Sequence, residues 1–255
     1  MLFAFDVGNT NVTIGGYDGD NLLFTTRIAS ETRLTADSYA VAVEGVIRLR
    51  GASISSNDDC IICSVVPAIT RALSKALRLL CKKEPLVLGP GVKTGLNIKI
   101  DNPAQLGADL AAGAVGAIAS YKLPCVIVDL GTATTLTVIN SKGEFLGGAI
   151  AAGINSTLDA LTSHTAQLNP VPIEVPKKII ASNTAECMKS GLIVGAAAMI
   201  DGLVDRMEDE LGEKFATVIA TGGLSQAVVS CCKREIKIDK NLLLDGLKII
   251  YNKNR

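Results

Sequence analysis

The sequence has 255 residues, of which 48% are hydrophobic and 20% are charged, and its 25 basic residues equal its 25 acidic ones. This composition is typical of a compact globular chain with a substantial buried core, and it excludes disordered and fibrous proteins. A balanced charge without a long basic run argues against nucleic acid and against an anionic membrane as partners.

The chain opens with an apolar strand at 2–5, which runs into the polar sequence Asp6-Val7-Gly8-Asn9-Thr10-Asn11. Further strands are predicted at 12–17 and 22–28, and with the turn between them they make a β-meander. Asp6 interrupts the first apolar run and no basic residue precedes it, so no signal peptide is predicted. The odd number of cysteines suits a reducing compartment, and we expect a cytoplasmic protein.

Helices predicted at 35–50 and 68–82 lie on either side of a strand at 60–65, and a short strand follows at 86–88. Cys60 and Cys63 fall in the apolar strand, where thiols behave as small hydrophobic side chains. Zinc binding would need a second ligand pair, but His164 is the only histidine. We expect His164 on the surface or at a helix end.

The same order of elements recurs in the second half of the chain. An apolar run at 125–128 leads into Asp129-Leu130-Gly131-Thr132-Ala133-Thr134-Thr135, and strands are predicted at 136–139 and 145–150. Aligning Asp6 with Asp129 also aligns Gly8 with Gly131, which indicates an internal repeat.

The elements that follow are helices near 155–167 and 184–211, with a strand at 217–220. The apolar part of the second helix, 191–203, is predicted to be buried in the core or at a dimer contact. Its most apolar stretch, 191–200, is too short to cross a bilayer. The whole pattern predicts an α/β fold of two similar domains, 1–120 and 121–255, each with a mixed sheet flanked by helices.

Asp6 and Asp129 each end a buried strand and are followed by glycine and small polar residues. A carboxylate at a strand end can hold hydrated Mg²⁺, and glycine lets the backbone approach a phosphate. Hydroxyl and amide groups with successive backbone N–H groups make an anion-binding concavity. Two such loops facing each other would grip a triphosphate from both sides, whereas one alone could equally be a polar hairpin turn.

A third motif, Thr221-Gly222-Gly223-Leu224, follows an apolar strand and opens a helix. Its two glycines permit close approach of a planar group or a phosphate, and its place after the aspartate loops suits an adenine site. Neither a Walker P-loop nor a GxGxxG motif is present.

These motifs, in this order over almost the whole chain, resemble those of the type III pantothenate kinase family, which belongs to the sugar kinase, heat-shock protein and actin superfamily. The matching segments are 6–11, 65–67, 89–91, 93–98, 107–109, 129–135, 147–150, 183–184, 190–191 and 220–224. The resemblance implies duplicated actin-like, ribonuclease H-like domains. It also implies ATP-dependent phosphorylation of pantothenate to 4'-phosphopantothenate, the first step of coenzyme A biosynthesis.

The resemblance further assigns roles to individual residues. Those expected to bind ATP or magnesium are Asp6, Val7, Gly8, Asn9, Thr10, Asn11, Val12, Thr13, Thr132, Gly222 and Gly223, with Asp6 on Mg²⁺. Asp129 is expected to bind a monovalent cation, K⁺ or NH₄⁺. The pantothenate contacts would be Ile100, Gly107, Ala108, Asp109, Leu110 and Thr184, with Asp109 as the catalytic proton acceptor. A homodimer is implied, with the substrate site near the subunit interface.

The chain departs from the family pattern on the acceptor side. The family usually has arginine at the position of Leu110, often an aromatic hydroxyl at Ile100, commonly proline at Ala152, and often asparagine at Gly113. Leucine offers no donor fork for a carboxylate. Two alternatives therefore stay open: a nucleotide-binding regulator of the same family without the kinase reaction, and a kinase for another small hydroxylated acceptor. From the residues alone, Asp109 could simply be an acidic residue in the first turn of a helix.

Overall fold

The computed structural model describes all residues, 1–255, and the chain forms two compact units. The first unit comprises Met1–Leu96, Asn102–Ala119 and Leu242–Arg255, and the second comprises Asn97–Asp101 and Ser120–Asn241. The predicted domain boundaries, 1–120 and 121–255, stay a prediction. The C-terminal segment packs within the first unit, although it follows the second in sequence.

The chain has eleven strands and eight α-helices. The strands are β1 (Leu2–Val7), β2 (Asn11–Asp18), β3 (Asn21–Ala29), β4 (Asp59–Ser64), β5 (Leu86–Val87), β6 (Asn97–Ile98), β7 (Cys125–Leu130), β8 (Ala133–Ile139), β9 (Glu144–Ala152), β10 (Thr217–Thr221) and β11 (Lys237–Ile238). The helices are α1 (Ala36–Arg48), α2 (Pro67–Cys81), α3 (Ala108–Ser120), α4 (Ile154–Ser163), α5 (Thr184–Lys189), α6 (Gly195–Leu211), α7 (Ser225–Val229) and α8 (Leu242–Lys253).

The sheet of the first unit has the strand order β3-β2-β1-β4-β5. β1 pairs antiparallel with β2 and parallel with β4, so it lies between two neighbours. Successive side chains of β1 point to opposite faces, and both faces are covered. Phe3 and Phe5 pack with α1 and α2 in what we call the α1–α2 core, and Leu2 and Ala4 pack with α3 and α8 in the α3–α8 core.

The sheet of the second unit repeats this topology, which confirms the predicted meander repeat. Its strand order is β11-β10-β7-β8-β9-β6. Strands β1 to β5 of the first sheet therefore correspond, in sequence order, to β7 to β11 of the second. The short strand β6 adds an extra edge to it, parallel to β9. The connection between β1 and β2 is one residue longer than that between β7 and β8, which is why Thr10 and Thr132 fall one step apart in the sequence alignment.

The helical stretch predicted at 184–211 is interrupted, because residues Ser190–Val194 form a π-helical turn between α5 and α6. By length and composition the whole stretch could cross a membrane. One side of it is core, however, and the buried residues there include Leu192, Ile193, Ala197, Ile200 and Val204. The neighbouring helix α4 ends at Ser163, earlier than predicted, and the exposed His164 is its C-cap residue, as expected for a helix end.

Glycine lets α3 and α8 approach closely in the first unit. A Cβ at Gly116 of α3 would lie 2.3 Å from the carbonyl oxygen of Leu242, and one at Gly246 of α8 would lie 1.9 Å from that of Ala112. Both obstacles are backbone atoms, so a side chain at either position would force the helices apart. This contact fixes α3, the helix that begins with the segment around Asp109.

We expect Gly116→Ala to lower the free energy of unfolding by about 2–3 kcal/mol, because the new methyl group must displace α8 from α3. Gly113→Ala is the matched control on the same helix, since a Cβ there meets no atom within 4 Å. That control should be neutral or stabilise by up to about 1 kcal/mol. Urea unfolding measures both, and equal effects of the two changes would contradict the close helix contact.

Candidate active site

The first loop of interest connects β1 to β2 and consists of Gly8, Asn9 and Thr10. The Gly8 amide donates a hydrogen bond to the Asn11 carbonyl over 3.0 Å, which closes the turn. Ser30 braces it: the Ser30 hydroxyl donates to the Gly8 carbonyl over 2.6 Å and the Ser30 amide donates to the Thr10 carbonyl over 3.0 Å. Sequence reasoning missed Ser30, which lies after the meander.

Polar side chains at the tip of this loop are open to solvent, because Asn9, Thr10 and Asn11 are all exposed. Val7 and Val12, which were also predicted to bind the cofactor, are 1% and 0% exposed. Their side chains belong to the α1–α2 core, so these two positions can offer a ligand only backbone groups. Thr13 pairs with Asp6 across β1 and β2 and is partly exposed.

Asp6 and Asp109 converge on one face of the first unit. Asp6 follows Leu2 and Ala4 in the alternation of β1, so it points toward the α3–α8 face, and its partner on β4 is Cys63. Cys63 is fully buried. Burial first, and then the negative charges of Asp6 and Asp109, raise the pKa of the Cys63 thiol well above its ordinary value. Both carboxylates therefore lie within electrostatic reach of the same buried sulfur.

The Gly107–Leu110 segment holds the Asp109 carboxylate in place. α3 begins at Ala108, and the Leu110 amide donates a 2.9 Å hydrogen bond to Asp109 Oδ1. A Cβ at Gly107 would lie 2.5 Å from the same oxygen, so the carboxylate folds back over this glycine. A negative charge in the first turn also interacts favourably with the helix dipole. The acid is thus oriented by backbone groups of its own motif.

In the second unit, the loop between β7 and β8 is supported by the start of α4. The Gly153 amide and the Ser156 hydroxyl both donate to the Thr132 carbonyl, over 3.2 Å and 3.0 Å. A Cβ at Gly153 would lie 2.3 Å from that carbonyl oxygen, so the approach requires glycine. Thr132 itself is exposed. This support also escaped the sequence reasoning, because it joins segments more than twenty residues apart.

Asp129 and the Gly222-Gly223 turn lie together in the second unit. Asp129 pairs with Thr221 across β7 and β10, and Gly222 follows directly with a φ of +90°. A Cβ at Gly222 would lie 2.7 Å from Asp129 Oδ1 and 2.6 Å from the Leu130 carbonyl oxygen. At Gly223 a Cβ would meet no atom within 4 Å. The backbone of the turn therefore passes close to the Asp129 carboxylate at Gly222, and the space next to Gly223 is open.

Two further predicted substrate contacts, Ile100 and Thr184, belong to the second unit. Ile100 lies against Gly147, where a Cβ would be 3.5 Å from Ile100 Cγ2. Thr184 is exposed and opens α5, and it lines an apolar groove of about 390 Å³. The groove is lined by Thr157, Leu161, Leu168, Thr184, Cys187, Met188, Gly191 and Leu192. Neither Ile100 nor Thr184 brings a charged group to its surroundings.

The oxygen groups at the strand ends fit hard cations. No group of three or more His, Cys, Asp or Glu side chains could hold a metal ion. This excludes an all-protein metal cage but suits Mg²⁺, which keeps several waters and takes few protein ligands. Asp6, with exposed Thr10 and Asn11 nearby in sequence, provides such a set. Asp129, beside the Leu130 carbonyl, offers oxygen ligands for a larger monovalent cation.

The protein resembles known proteins over its full length. A family model described as type III pantothenate kinase matches residues 2–206. The chain is 40% identical to type III pantothenate kinases of Moorella thermoacetica, over 100% of both chains, and of Geotalea daltonii, over 100% of this chain and 99% of the relative.

Solved structures are similar in fold at low identity. A conserved Baf family protein from Campylobacter jejuni superposes with a TM-score of 0.63 at 19% identity, covering 99% of this chain and 98% of its own. The ROK hexokinase from Thermus thermophilus gives 0.52 at 13%, covering 100% and 99%. The activator of 2-hydroxyisocaproyl-CoA dehydratase from Clostridium difficile, with bound ADPNP, gives 0.55 at 13%, covering 98% and 93%. These neighbours confirm the predicted actin-like α/β fold class.

We expect Gly222→Ala to disturb Asp129, because its methyl group would overlap the carboxylate. Gly212→Ala is the matched control, since Gly212 also has a positive φ, +75°, but a Cβ there meets no atom within 4 Å. Gly212→Ala should lose about 1 kcal/mol of stability from backbone strain, and Gly222→Ala should lose more, because its methyl group also meets the Leu130 carbonyl. Only Gly222→Ala should also weaken binding of a non-hydrolysable ATP analogue, by about tenfold or more, as measured by calorimetry. Equal affinities in the two variants would contradict a role for this turn in nucleotide binding.

Proposed function

The chain belongs to the type III pantothenate kinase family, and on that premise we propose that it transfers the γ-phosphoryl group of ATP to pantothenate. The product is 4'-phosphopantothenate, and the reaction is the first step of coenzyme A biosynthesis. The observation that carries the proposal is the 40% identity to two type III pantothenate kinases over their full length.

The loop after β1 is proposed to hold the phosphates. The turn closed by Gly8 and braced by Ser30 presents the exposed polar groups of Asn9, Thr10 and Asn11. Phosphoryl transfer depends on positioning and on neutralisation of charge more than on covalent help. Asp6 would hold Mg²⁺, which when bound supplies positive charge to the phosphoryl oxygens.

The loop after β7 and the Gly222-Gly223 turn of the second unit are also proposed to bind ATP. Asp129 would hold a monovalent cation, K⁺ or NH₄⁺, with the exposed hydroxyl of Thr132 directed at ATP. The open space above Gly223 suits a planar group such as adenine. The support of Thr132 by Gly153 and Ser156 keeps this loop fixed before the ligand binds.

Asp109 is the proposed catalytic residue. As the oxygen–phosphorus bond forms, the acceptor hydroxyl loses its proton to the Asp109 carboxylate, a contribution worth about 10²- to 10⁴-fold in rate. The hydrogen bond from the Leu110 amide to Oδ1 leaves the other carboxylate oxygen to face the hydroxyl. Gly107, Ala108, Leu110, Ile100 and Thr184 are the proposed acceptor contacts.

The acceptor side also favours a second candidate function. The Leu110 and Ile100 side chains offer no donor for the carboxylate of pantothenate. A kinase acting on another small hydroxylated acceptor, or a nucleotide-binding regulator, would tolerate both residues. Turnover with pantothenate distinguishes these alternatives from the main proposal, which alone expects it.

We propose that the protein is a cytoplasmic homodimer. Large apolar side chains of the second unit are exposed in the single chain: Ile150 is 76% exposed, Ile179 is 70% and Ile180 is 92%. We propose that a second copy of the chain covers them. Large apolar side chains exposed to this degree are the ones that a subunit contact would cover.

Asp109→Asn should lower kcat for pantothenate by about 10²- to 10⁴-fold and leave the affinity for ATP almost unchanged. Asp37→Asn is the matched control, because Asp37 is an exposed aspartate that also lies in the first turn of a helix. A coupled assay of ADP release, with mass detection of the phosphorylated product, measures both. Wild-type turnover no higher than that of Asp109→Asn would exclude the kinase proposal.

Activity should depend on K⁺ through Asp129. At constant ionic strength, replacing K⁺ by Na⁺ should lower kcat/KM by about tenfold in the wild type, since the smaller ion fits the oxygen ligands less well. Asp129→Asn should have low activity and lose the difference between the two ions, whereas Asp159→Asn, on the exposed side of α4, should keep it. A K⁺ response that survives in Asp129→Asn would place the cation elsewhere.

A further inference from the structure

Two cysteines of the first unit are in contact, although they are far apart in sequence. Cys60 lies in β4 and Cys81 is the last residue of α2, and their sulfur atoms are 3.5 Å apart. Cys60 is 5% exposed and Cys81 is 1% exposed, and both belong to the α1–α2 core. All seven cysteines of the chain are free thiols. The proposed kinase reaction uses neither residue.

We propose that Cys60 and Cys81 form a modification site, a dithiol that a small hydroperoxide such as hydrogen peroxide oxidises to an intramolecular disulfide. The sulfur atoms need to approach by about 1.5 Å to reach bonding distance, which side-chain rotation and a small shift at the end of α2 provide.

The partner of Cys60 is set by the geometry of β4 and not by sequence spacing. Cys63 lies three residues away on the same strand, so it points to the opposite face and belongs to the α3–α8 core. The apparent Cys60-Cys63 motif therefore cannot close, and the distant Cys81 is the thiol within reach. Cys125, buried in the second unit, makes no contact with another sulfur.

The electrostatic surroundings shift the pKa values of the two thiols in opposite directions. Their shared hydrogen bond raises the pKa of Cys60, and burial raises it further. The same hydrogen bond, assisted by the positive charge of Lys83, lowers the pKa of Cys81. We assign the first attack to Cys81, because it is the last residue of α2, close to the cationic Lys83, whereas Cys60 lies within β4.

The oxidation balances with one peroxide and two thiols. The Cys81 thiolate attacks one peroxide oxygen, the oxygen–oxygen bond breaks, and the departing hydroxide takes up a proton to become water. The Cys60 sulfur then attacks the sulfenic sulfur of Cys81, the sulfur–oxygen bond breaks, and the departing hydroxide takes up the Cys60 thiol proton and leaves as a second water. Two thiols are oxidised by two electrons, and the peroxide is reduced to two waters.

Access to the buried pair comes from the end of α2. Lys82 follows Cys81 with a φ of +56°, and it is the only residue other than glycine with a positive φ. This conformation is strained for a side chain with a Cβ, so the last turn opens more readily than the rest of the helix. The next residue, Lys83, is held by an ion pair with Asp59 over 3.0 Å and by a hydrogen bond that its Nζ donates to the Asn57 carbonyl over 3.3 Å, and its side chain is 46% exposed. Such an exposed pair contributes little to closure.

The disulfide would stabilise the first unit. It joins the sheet to the far end of the helix that covers it, and it closes a loop that includes the whole of α2. Such a crosslink restricts the unfolded chain, and the Tm should rise by about 5 °C. Because β4 lies beside β1, the crosslink acts on the strand next to the one that carries Asp6.

Peptide mapping under non-reducing conditions tests the site directly. After treatment of the full-length protein with hydrogen peroxide, we expect one crosslinked peptide pair containing Cys60 and Cys81, with a mass two hydrogens below that of the thiols, and a Tm rise that dithiothreitol reverses. Cys81→Ala and Cys81→Ser should each lose both signals. Cys125→Ala should keep both, since Cys125 is buried but has no sulfur neighbour.

A further variant tests the route of access. Lys82→Gly relieves the strained backbone and should slow formation of the crosslink at least threefold, without changing where it forms. The proposal is overturned if peroxide oxidises only Cys187, Cys231 or Cys232, if Cys60 pairs with another cysteine, or if the crosslink forms equally fast in Lys82→Gly.

Discussion

The first unit depends on the burial of β1 on both faces. Its odd-numbered side chains pack under α1 and α2, while Leu2 and Ala4 pack under α3 and α8. A strand held in this way cannot slip, because a shift of one residue would turn every side chain to the wrong layer. Along β1, Asp6 is the first polar residue on the α3–α8 face, and it lies one residue before the strand ends. Core packing therefore points Asp6 to the face that carries Cys63, the buried thiol on which the charge of Asp109 also acts.

The loops of the candidate site are held by backbone groups and small residues. Gly153 and Gly222 stand where the carbonyl of Thr132 and the carboxylate of Asp129 come too near for any side chain. Ser30 and Ser156 add hydroxyl donors to the carbonyls of the two loops. Holding a loop through its backbone leaves its side chains at the tip available for a ligand, and it reduces the ordering that binding requires.

Much of this could be predicted from the sequence. Strand periodicity and the recurrence of Asp6 and Gly8 at Asp129 and Gly131 predicted the repeated meander, and the structure confirms it. The position of Asp109 in the first turn of a helix was also predicted. These signals are local: they depend on the alternation of a strand or on the chemistry of a single turn.

What could not be predicted depends on segments that meet only after folding. Ser30 and Ser156 look like ordinary polar residues until the chain brings them to a loop carbonyl. Cys60 looked like half of a pair with Cys63, yet β4 points the two thiols to opposite faces and the distant Cys81 comes into contact instead. The place of α8 in the first unit has the same cause, since periodicity shows which side of a helix is apolar but not which surface it covers.

That place of α8 has a consequence for synthesis on the ribosome. Leu244, Leu247 and Ile250 of α8 complete the α3–α8 core around strands that leave the exit tunnel well before α8 does. Those strands have this face only partly covered, by α3, until the second unit and then α8 have been synthesised. The second unit is contiguous apart from a short edge strand, so it can fold before α8 is made, and the first unit is completed after it.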